Sequence, residues 1–159
     1  LVEKTMKSVE WATIFFFIGL FIAVGGLIET GIIGSLAKQA VELTGGDVTK
    51  TSLLVLWLSA LVSSVLDNIP FVATMIPLIQ DMGNMGISNL EPIWWSLALG
   101  ACLGGNGTLV GASANLIVAG LAAERGVKIT FINYFKIGFP IMLLTIVLST
   151  AYVYIRYLI

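Results

Sequence analysis

Two polar breaks interrupt otherwise apolar segments of this 159-residue chain. The first is SSVLDNIP, residues 63–70, which places Asp67 and Asn68 between two apolar runs. The second is GGNGTLVGASAN, residues 104–115. Inside a bilayer, a carboxylate is costly unless it meets a cation, a proton or a polar partner. Two such breaks in one small apolar chain therefore indicate a site that binds an ion or a small solute.

Asp67 and Asn68 offer oxygen ligands at the first break. Carbonyl groups and helix ends around an unwound segment can coordinate Na⁺ or accept protons, and helix N-termini can face an anion. We therefore predict that both residues bind a cation, and that Ser64 and Thr74 line the solute path. The alternatives are that Asp67 only caps the following helix, and that the two hydroxyl groups bond back to the preceding turn. The apolar flanks favour the site over a solvated turn.

The second break carries hard oxygen ligands, which suit Na⁺. We predict that Asn106 and Thr108 complete the cation site and that Ser113 and Asn115 line the solute path. Glycines break the helix at this place, because each is unfavourable by about 1 kcal/mol relative to alanine. These glycines are Gly104, Gly105, Gly107 and Gly111. The alternative is close helix packing through small residues.

Composition points to the membrane as the solvent of this chain. Hydrophobic residues make up 58% and charged residues 11%, whereas soluble domains have about 25% charged residues. The net charge of −1 does not indicate nucleic-acid binding. With no histidine and one cysteine, Cys102, neither a disulfide framework nor a Cys/His zinc site is expected. We predict a non-enzyme without cofactors, apart from Na⁺ as a coupling ion.

The apolar pattern predicts an all-α, polytopic membrane protein. The two apolar arms around Asp67 are each shorter than the ~20 residues of a straight crossing. Pro70 also disfavours a continuous helix, so a re-entrant hairpin with its tip at 67–70 is the simplest solution. The predicted elements are a span (11–28), an amphipathic interfacial helix (30–45), the hairpin (52–85), a broken span (92–123) and a last span (138–159).

Positive charges suggest an orientation for these elements. One side holds Lys4, Lys7, Arg125, Lys128 and Lys136, and the other holds Lys38, Lys50 and Arg156. The positive-inside rule makes the first side cytoplasmic. The start of the chain, which has no initiator methionine, suggests a piece of a longer protein. We expect the protein to lie in the cell (inner) membrane, with the lipid bilayer as its partner.

Four stretches resemble the C-terminal half of the ion transporter superfamily. They are VEWATIFFFIGLFIAVGGLIETGII, SSVLDNIPFVATMIPLI, LGGNGTLVGASANLIVAGLAAERG and FINYFKIGFP. The most similar branch is that of the arsenical pump membrane protein, the NhaD sodium/proton antiporters and the melanosomal P protein. This resemblance covers nearly the whole chain.

The resemblance implies two inverted repeats, each with a re-entrant hairpin and a broken helix. The N-terminal repeat of the same protein would then be a partner of this chain, and a homodimer is expected by analogy. The dicarboxylate branch carries a Ser-Asn-Thr signature at the hairpin tip. This chain keeps the asparagine as Asn68 but has Asp67 and Ile69 beside it. Asp67 would repel an anionic substrate unless a cation lies between them.

We therefore predict half of a secondary active transporter that moves an inorganic ion or small anion with Na⁺ or H⁺. Its mechanism would be elevator-type alternating access, with arsenite/antimonite transport or Na⁺/H⁺ antiport as the activity. A citrate or dicarboxylate transporter is the alternative. A structural subunit of a membrane complex would explain the small residues but not Asp67. A channel would need a continuous pore, and an intramembrane enzyme would need a catalytic group that the sequence lacks.

Overall fold

The computed structural model describes residues 11–159, which form seven α-helices and no strand in that range. This confirms the predicted all-α class. Lys4 and Lys7, which entered the charge comparison, lie outside the described residues. The helices are α1 (Trp11–Glu29), α2 (Ile32–Thr44), α3 (Val48–Ser63), α4 (Asn68–Asn84), α5 (Glu91–Gly104), α6 (Ser113–Glu124) and α7 (Phe131–Val153), and α7 continues into a π-helical turn, Tyr154–Leu158.

The chain bends by 65° between α1 and α2. Gly31 lies at the bend with a φ of 74°, a left-handed conformation that glycine adopts without steric cost. Helix α2 then packs against α4 and buries Ile33 and Ala37, while Leu36 and Leu43 stay exposed. It lies inside the segment 30–45, for which we predict an interfacial helix.

Helices α3 and α5 lie in very close contact. A Cβ atom on Gly100 would come within 2.4 Å of the Leu56 carbonyl oxygen, and one on Gly104 would come equally close to that of Ala60. The contacts advance in the same direction along both helices, so α3 and α5 run parallel. Small residues permit this approach, as they do at helix crossings in membranes.

Helix α7 runs antiparallel to α3 and α5. Met142 and Ile146 are fully buried against Leu56 and Ala60, and Trp57 donates from Nε1 to the Thr150 hydroxyl group over 3.1 Å. The helix begins at Phe131 and not at the predicted position 138, because Thr130 caps it and no break separates residues 130–138 from the span. Pro140 is accommodated inside this helix.

The outer surface of the bundle is apolar. Phe15, Ile22, Ile117 and Leu148 are among the many large apolar side chains that are more than half exposed. Among the described residues, Phe131–Leu158 is the one helix long and apolar enough to cross a membrane alone, and the bent pair α1–α2 meets the same criterion together. A lipid environment accounts for such a surface.

Helix α6 stands apart from the bundle. It packs against none of the other described helices, and none of its residues is buried. Leu116, Val118 and Leu121 are all about half exposed. The polar contacts of its first turn, described next, are what connect it to the rest of the chain.

Candidate cation and solute site

The two polar breaks lie side by side. Helix α3 ends at Ser63, and α5 ends at Gly104. Because these helices run parallel, their C-terminal ends meet at one level. The hydroxyl group of Thr108 donates a hydrogen bond to the Ser64 carbonyl oxygen and so joins the second break to the first. We call this region, residues 63–68 and 104–115, the junction.

Asp67 forms hydrogen bonds with both of the helices that leave the junction. Its Oδ1 accepts from the Ile69 amide at 3.3 Å, which caps α4. Its Oδ2 accepts from the Ser113 hydroxyl group at 2.8 Å, at the start of α6. The capping alternative considered above is therefore observed, but it uses only one carboxylate oxygen. The other oxygen connects two segments that are distant in sequence.

Thr108 and Asn115 hold the loop between α5 and α6 in shape. The buried Thr108 hydroxyl group accepts a hydrogen bond from the Gly111 amide at 3.1 Å in addition to donating to Ser64. The Asn115 amide nitrogen donates to the carbonyl oxygens of Gly105 at 2.9 Å and Thr108 at 3.1 Å. Asn115, a predicted solute-path residue, thus has a structural contact within the loop.

The glycines of the second break allow close packing, because a side chain at these positions would clash with neighbouring atoms. None of Gly104, Gly105, Gly107 and Gly111 has a positive φ. A Cβ atom on Gly107 would lie 2.9 Å from both Met142 Cε and Ser64 Cβ, and one on Gly111 would lie 2.7 Å from the Ser64 carbonyl oxygen. These residues therefore allow the loop to lie directly on α7 and on the first break. Helix propensity alone, on which the sequence argument relied, does not account for them.

Asn68 and Asn106 face different cavities. Asn68 lines an apolar groove of about 490 Å³ between α4 and α5, together with Val72 and Cys102. Asn106 lines a separate cavity of about 510 Å³ with Lys128 and Tyr134. Of the four predicted cation ligands, Asp67 thus contacts the start of α6 and Thr108 contacts Ser64, whereas Asn68 and Asn106 line two separate cavities.

The two remaining hydroxyl groups bond back to their own helices. Ser64 donates to the Leu61 carbonyl oxygen at 2.6 Å, and Thr74 donates to that of Phe71 at 2.7 Å. Ser64 belongs to the junction. Thr74 instead lines an apolar cavity of about 510 Å³ between α2 and α4, so the structure does not bring it to the other predicted solute-path residues.

Two groups of residues near the junction were not predicted as site residues. Ser63 is fully buried and donates to the Ala101 carbonyl oxygen at 2.7 Å, which ties α3 to α5. Asn133 and Tyr134 lie in the same cavity as Asn106. The small residue Gly138 was the available signal, since a Cβ atom there would lie 2.8 Å from the Asn106 carbonyl oxygen.

The helix ends give the junction a mixed electrostatic character. The C-terminal ends of α3 and α5 carry partial negative charge, and the N-terminal ends of α4 and α6 carry partial positive charge. Carbonyl oxygens and the Asp67 carboxylate suit a small cation, whereas the two helix N-termini suit an anion. The arrangement can therefore hold a cation and an anion next to each other.

Comparisons with known proteins agree with the resemblance drawn from the motifs. The sequence model of the Citrate transporter family matches residues 1–100. An uncharacterized transporter of Mycobacterium tuberculosis is 43% identical over 157 residues, which are 98% of this chain and 37% of the relative. The P protein of Homo sapiens is 38% identical over 164 residues, which cover 99% of this chain and 20% of the relative. No solved structure matches the chain.

The chain spans about 37% of the length of the mycobacterial relative, so it matches one part of that relative. A transporter family implies an integral membrane protein, which agrees with the apolar outer surface. The matched family region runs through the first break and most of α5. The predicted membership of the ion transporter superfamily is confirmed, and within it this chain belongs to the citrate transporter family.

Proposed function

We propose that this chain forms one repeat of a secondary active transporter in which Asp67 takes part in binding the coupling cation, Na⁺ or H⁺. The observation that carries the proposal is the hydrogen bond between Ser113 and Asp67, because it places a carboxylate where two interrupted helices meet. Broken helices of this kind form binding sites near the bilayer midplane in secondary transporters.

Coupling follows from the charges at the junction. Without a cation, the Asp67 carboxylate opposes the approach of an anion to the N-termini of α4 and α6. A bound cation or proton neutralises Asp67 and removes that repulsion. The anion then binds where the partial positive charge of the two helix ends is greatest. Binding of the two solutes is therefore cooperative, which is the requirement for symport.

We propose that the transported solute is an inorganic ion or a small anion. A carboxylate such as citrate is favoured by the name of the family, and an arsenite-like ion or Na⁺/H⁺ exchange is the other candidate from the motif resemblance. Transport of citrate would require a bound cation that screens the charge of Asp67. Na⁺/H⁺ exchange would require only the Asp67 carboxylate itself. Transport of each solute under a Na⁺ or a proton gradient distinguishes these candidates.

An elevator movement would carry α3–α6 past α7. Such a movement must separate Gly107 from Met142 and the Asn106 carbonyl group from Gly138, which lie in close contact here. The rest of the transporter, which we propose to include an inverted N-terminal repeat, would complete the site. A homodimer in the cell (inner) membrane is the assembly that we propose for it.

The test is a transport assay on the full-length protein in liposomes with Asp67→Asn. We expect cation-driven uptake to fall at least about tenfold, which corresponds to about 1.4 kcal/mol, while insertion and folding persist. Asp81→Asn is the matched control, because Asp81 lies on the same helix, about 20 Å further along at 1.5 Å per residue. Wild-type coupling in Asp67→Asn, or an equal loss in Asp81→Asn, would refute the role of Asp67.

A further inference from the structure

The cavity beside the α5–α6 loop differs from the junction in its chemistry. It has a volume of about 510 Å³ and lies between that loop and the start of α7. Its polar lining consists of Asn106, Lys128, Asn133 and Tyr134. Lys128 gives this cavity a positively charged side chain, whereas the junction has none. The amide groups and the phenol add hydrogen-bond donors, so this end of the cavity suits an anionic group.

The other end of the cavity is apolar. Asn133 and Tyr134 lie in the first turns of α7, and Ile137 and Ile141 line the same cavity one and two turns further along. The distance from Asn133 to Ile141 along the helix is about 12 Å. Both isoleucines are more than half exposed, at 66% and 53%. The cavity therefore changes from polar to apolar as it follows α7 and opens toward the outer surface.

The surrounding charge is positive. The segment 121–141 contains Arg125, Lys128 and Lys136 but a single acidic residue, Glu124. These residues lie on the side that the positive-inside rule assigns to the cytoplasm. Basic pockets between membrane helices on that side bind the headgroups of anionic lipids, and basic residues near the surface each contribute about 1 kcal/mol.

We propose that this cavity binds an anionic phospholipid. The headgroup phosphate would lie against Lys128 with Asn106 and Tyr134 as hydrogen-bond donors, and the first part of an acyl chain would lie on Ile137 and Ile141. A free inorganic anion would leave the apolar half of the cavity unused. A zwitterionic lipid would bring its own cation close to Lys128. The proposal does not depend on the assignment of Asp67.

Lipid retention by the purified full-length protein in detergent tests the proposal. Native mass spectrometry would compare phosphatidylglycerol with phosphatidylcholine of the same acyl chains. We expect phosphatidylglycerol to be retained preferentially, and Lys128→Gln to reduce its retention about fivefold, the factor that corresponds to about 1 kcal/mol. Lys128→Arg should keep most of the binding, because the charge is conserved.

Lys136→Gln is the matched control, since Lys136 is a nearby lysine, eight residues further along the chain in α7, that does not line the cavity. Ile141→Trp is a second variant, which fills the apolar end without changing the charge and should also lower retention. Glycerol 3-phosphate, which has no acyl chain, should not displace the lipid. Equal losses in Lys128→Gln and Lys136→Gln, no preference for phosphatidylglycerol, or displacement by glycerol 3-phosphate would each overturn the proposal.

Discussion

The hydroxyl group of Ser113 donates a hydrogen bond to Oδ2 of Asp67 over 2.8 Å. These residues are separated by 45 intervening positions in the sequence, yet each stands at the beginning of a helix that leaves the junction. Asp67 thus caps α4 with one oxygen and holds the start of α6 with the other. We expect a cation to bind Asp67 beside this contact, so that Ser113 keeps the carboxylate in position for it.

Replacing Ser113 with alanine should weaken cation binding without removing it. The substitution takes away one hydrogen bond to a partly exposed carboxylate, which is worth about 1 kcal/mol. We expect the half-saturating cation concentration for uptake into liposomes to rise about fivefold, with little change at saturating cation. Ser113→Thr should behave like the wild type, and Ser35→Ala on the exposed face of α2 serves as the control. An unchanged cation dependence in Ser113→Ala would show that the contact has no part in binding.

Replacing Gly104 with alanine should destabilise the contact between α3 and α5. The new methyl group would lie 2.4 Å from the Ala60 carbonyl oxygen, which belongs to a helix backbone and cannot move alone. Overpacking of this kind costs about 1–3 kcal/mol, so the midpoint of thermal unfolding in detergent should fall by several degrees.

Gly120→Ala is the matched control for that experiment. Nothing lies within 4 Å of the position that its Cβ atom would take, and it is in the middle of α6. Alanine should therefore raise the stability of this helix by about 0.5–1 kcal/mol. If both substitutions lowered the unfolding midpoint equally, the close approach of α3 and α5 would not explain the glycine at position 104.

Two buried serines of α3 should respond differently to alanine. Ser63 donates to the Ala101 carbonyl oxygen, whereas the buried Ser59 hydroxyl group has no hydrogen-bond partner in the described part of the chain. Ser63→Ala should lower stability by about 1 kcal/mol, and Ser59→Ala should be neutral or stabilising, because it removes an unsatisfied polar group. Thermal unfolding of the two variants in the same detergent checks this order. A larger loss in Ser59→Ala would indicate a partner for that hydroxyl group in the full-length protein.

The sequence indicated both interruptions but not their bounds, since α4 already begins at Asn68, inside the predicted tip 67–70, and α6 begins only at Ser113. Asp67 and Pro70 interrupt an apolar run, and the glycines from Gly104 to Gly111 interrupt another, so the chain has few favourable ways to remain helical there. The amphipathic segment 30–45 likewise has a spacing that favours one buried face. These features depend on residues that are close together in the chain, so they can be recognised in a single sequence.

Relationships between distant segments were harder to predict. Nothing in the spacing of Asn68 and Asn106 reveals that they line separate cavities, since that depends on how α4 and the α5–α6 loop pack. The predicted last span begins at 138, whereas α7 begins at Phe131, because the Thr130 side chain caps the helix there.

The isolation of α6 has a mechanical consequence. Its contacts through Ser113 and Asn115 are concentrated in its first turn, so this end acts as a pivot for a rod about 18 Å long. A rotation of about 10° at the pivot displaces the distal end by about 3 Å. Lys128 lies just beyond that end. A rearrangement of the Asp67 carboxylate would therefore be amplified along α6 toward Lys128 and the cavity that this lysine lines.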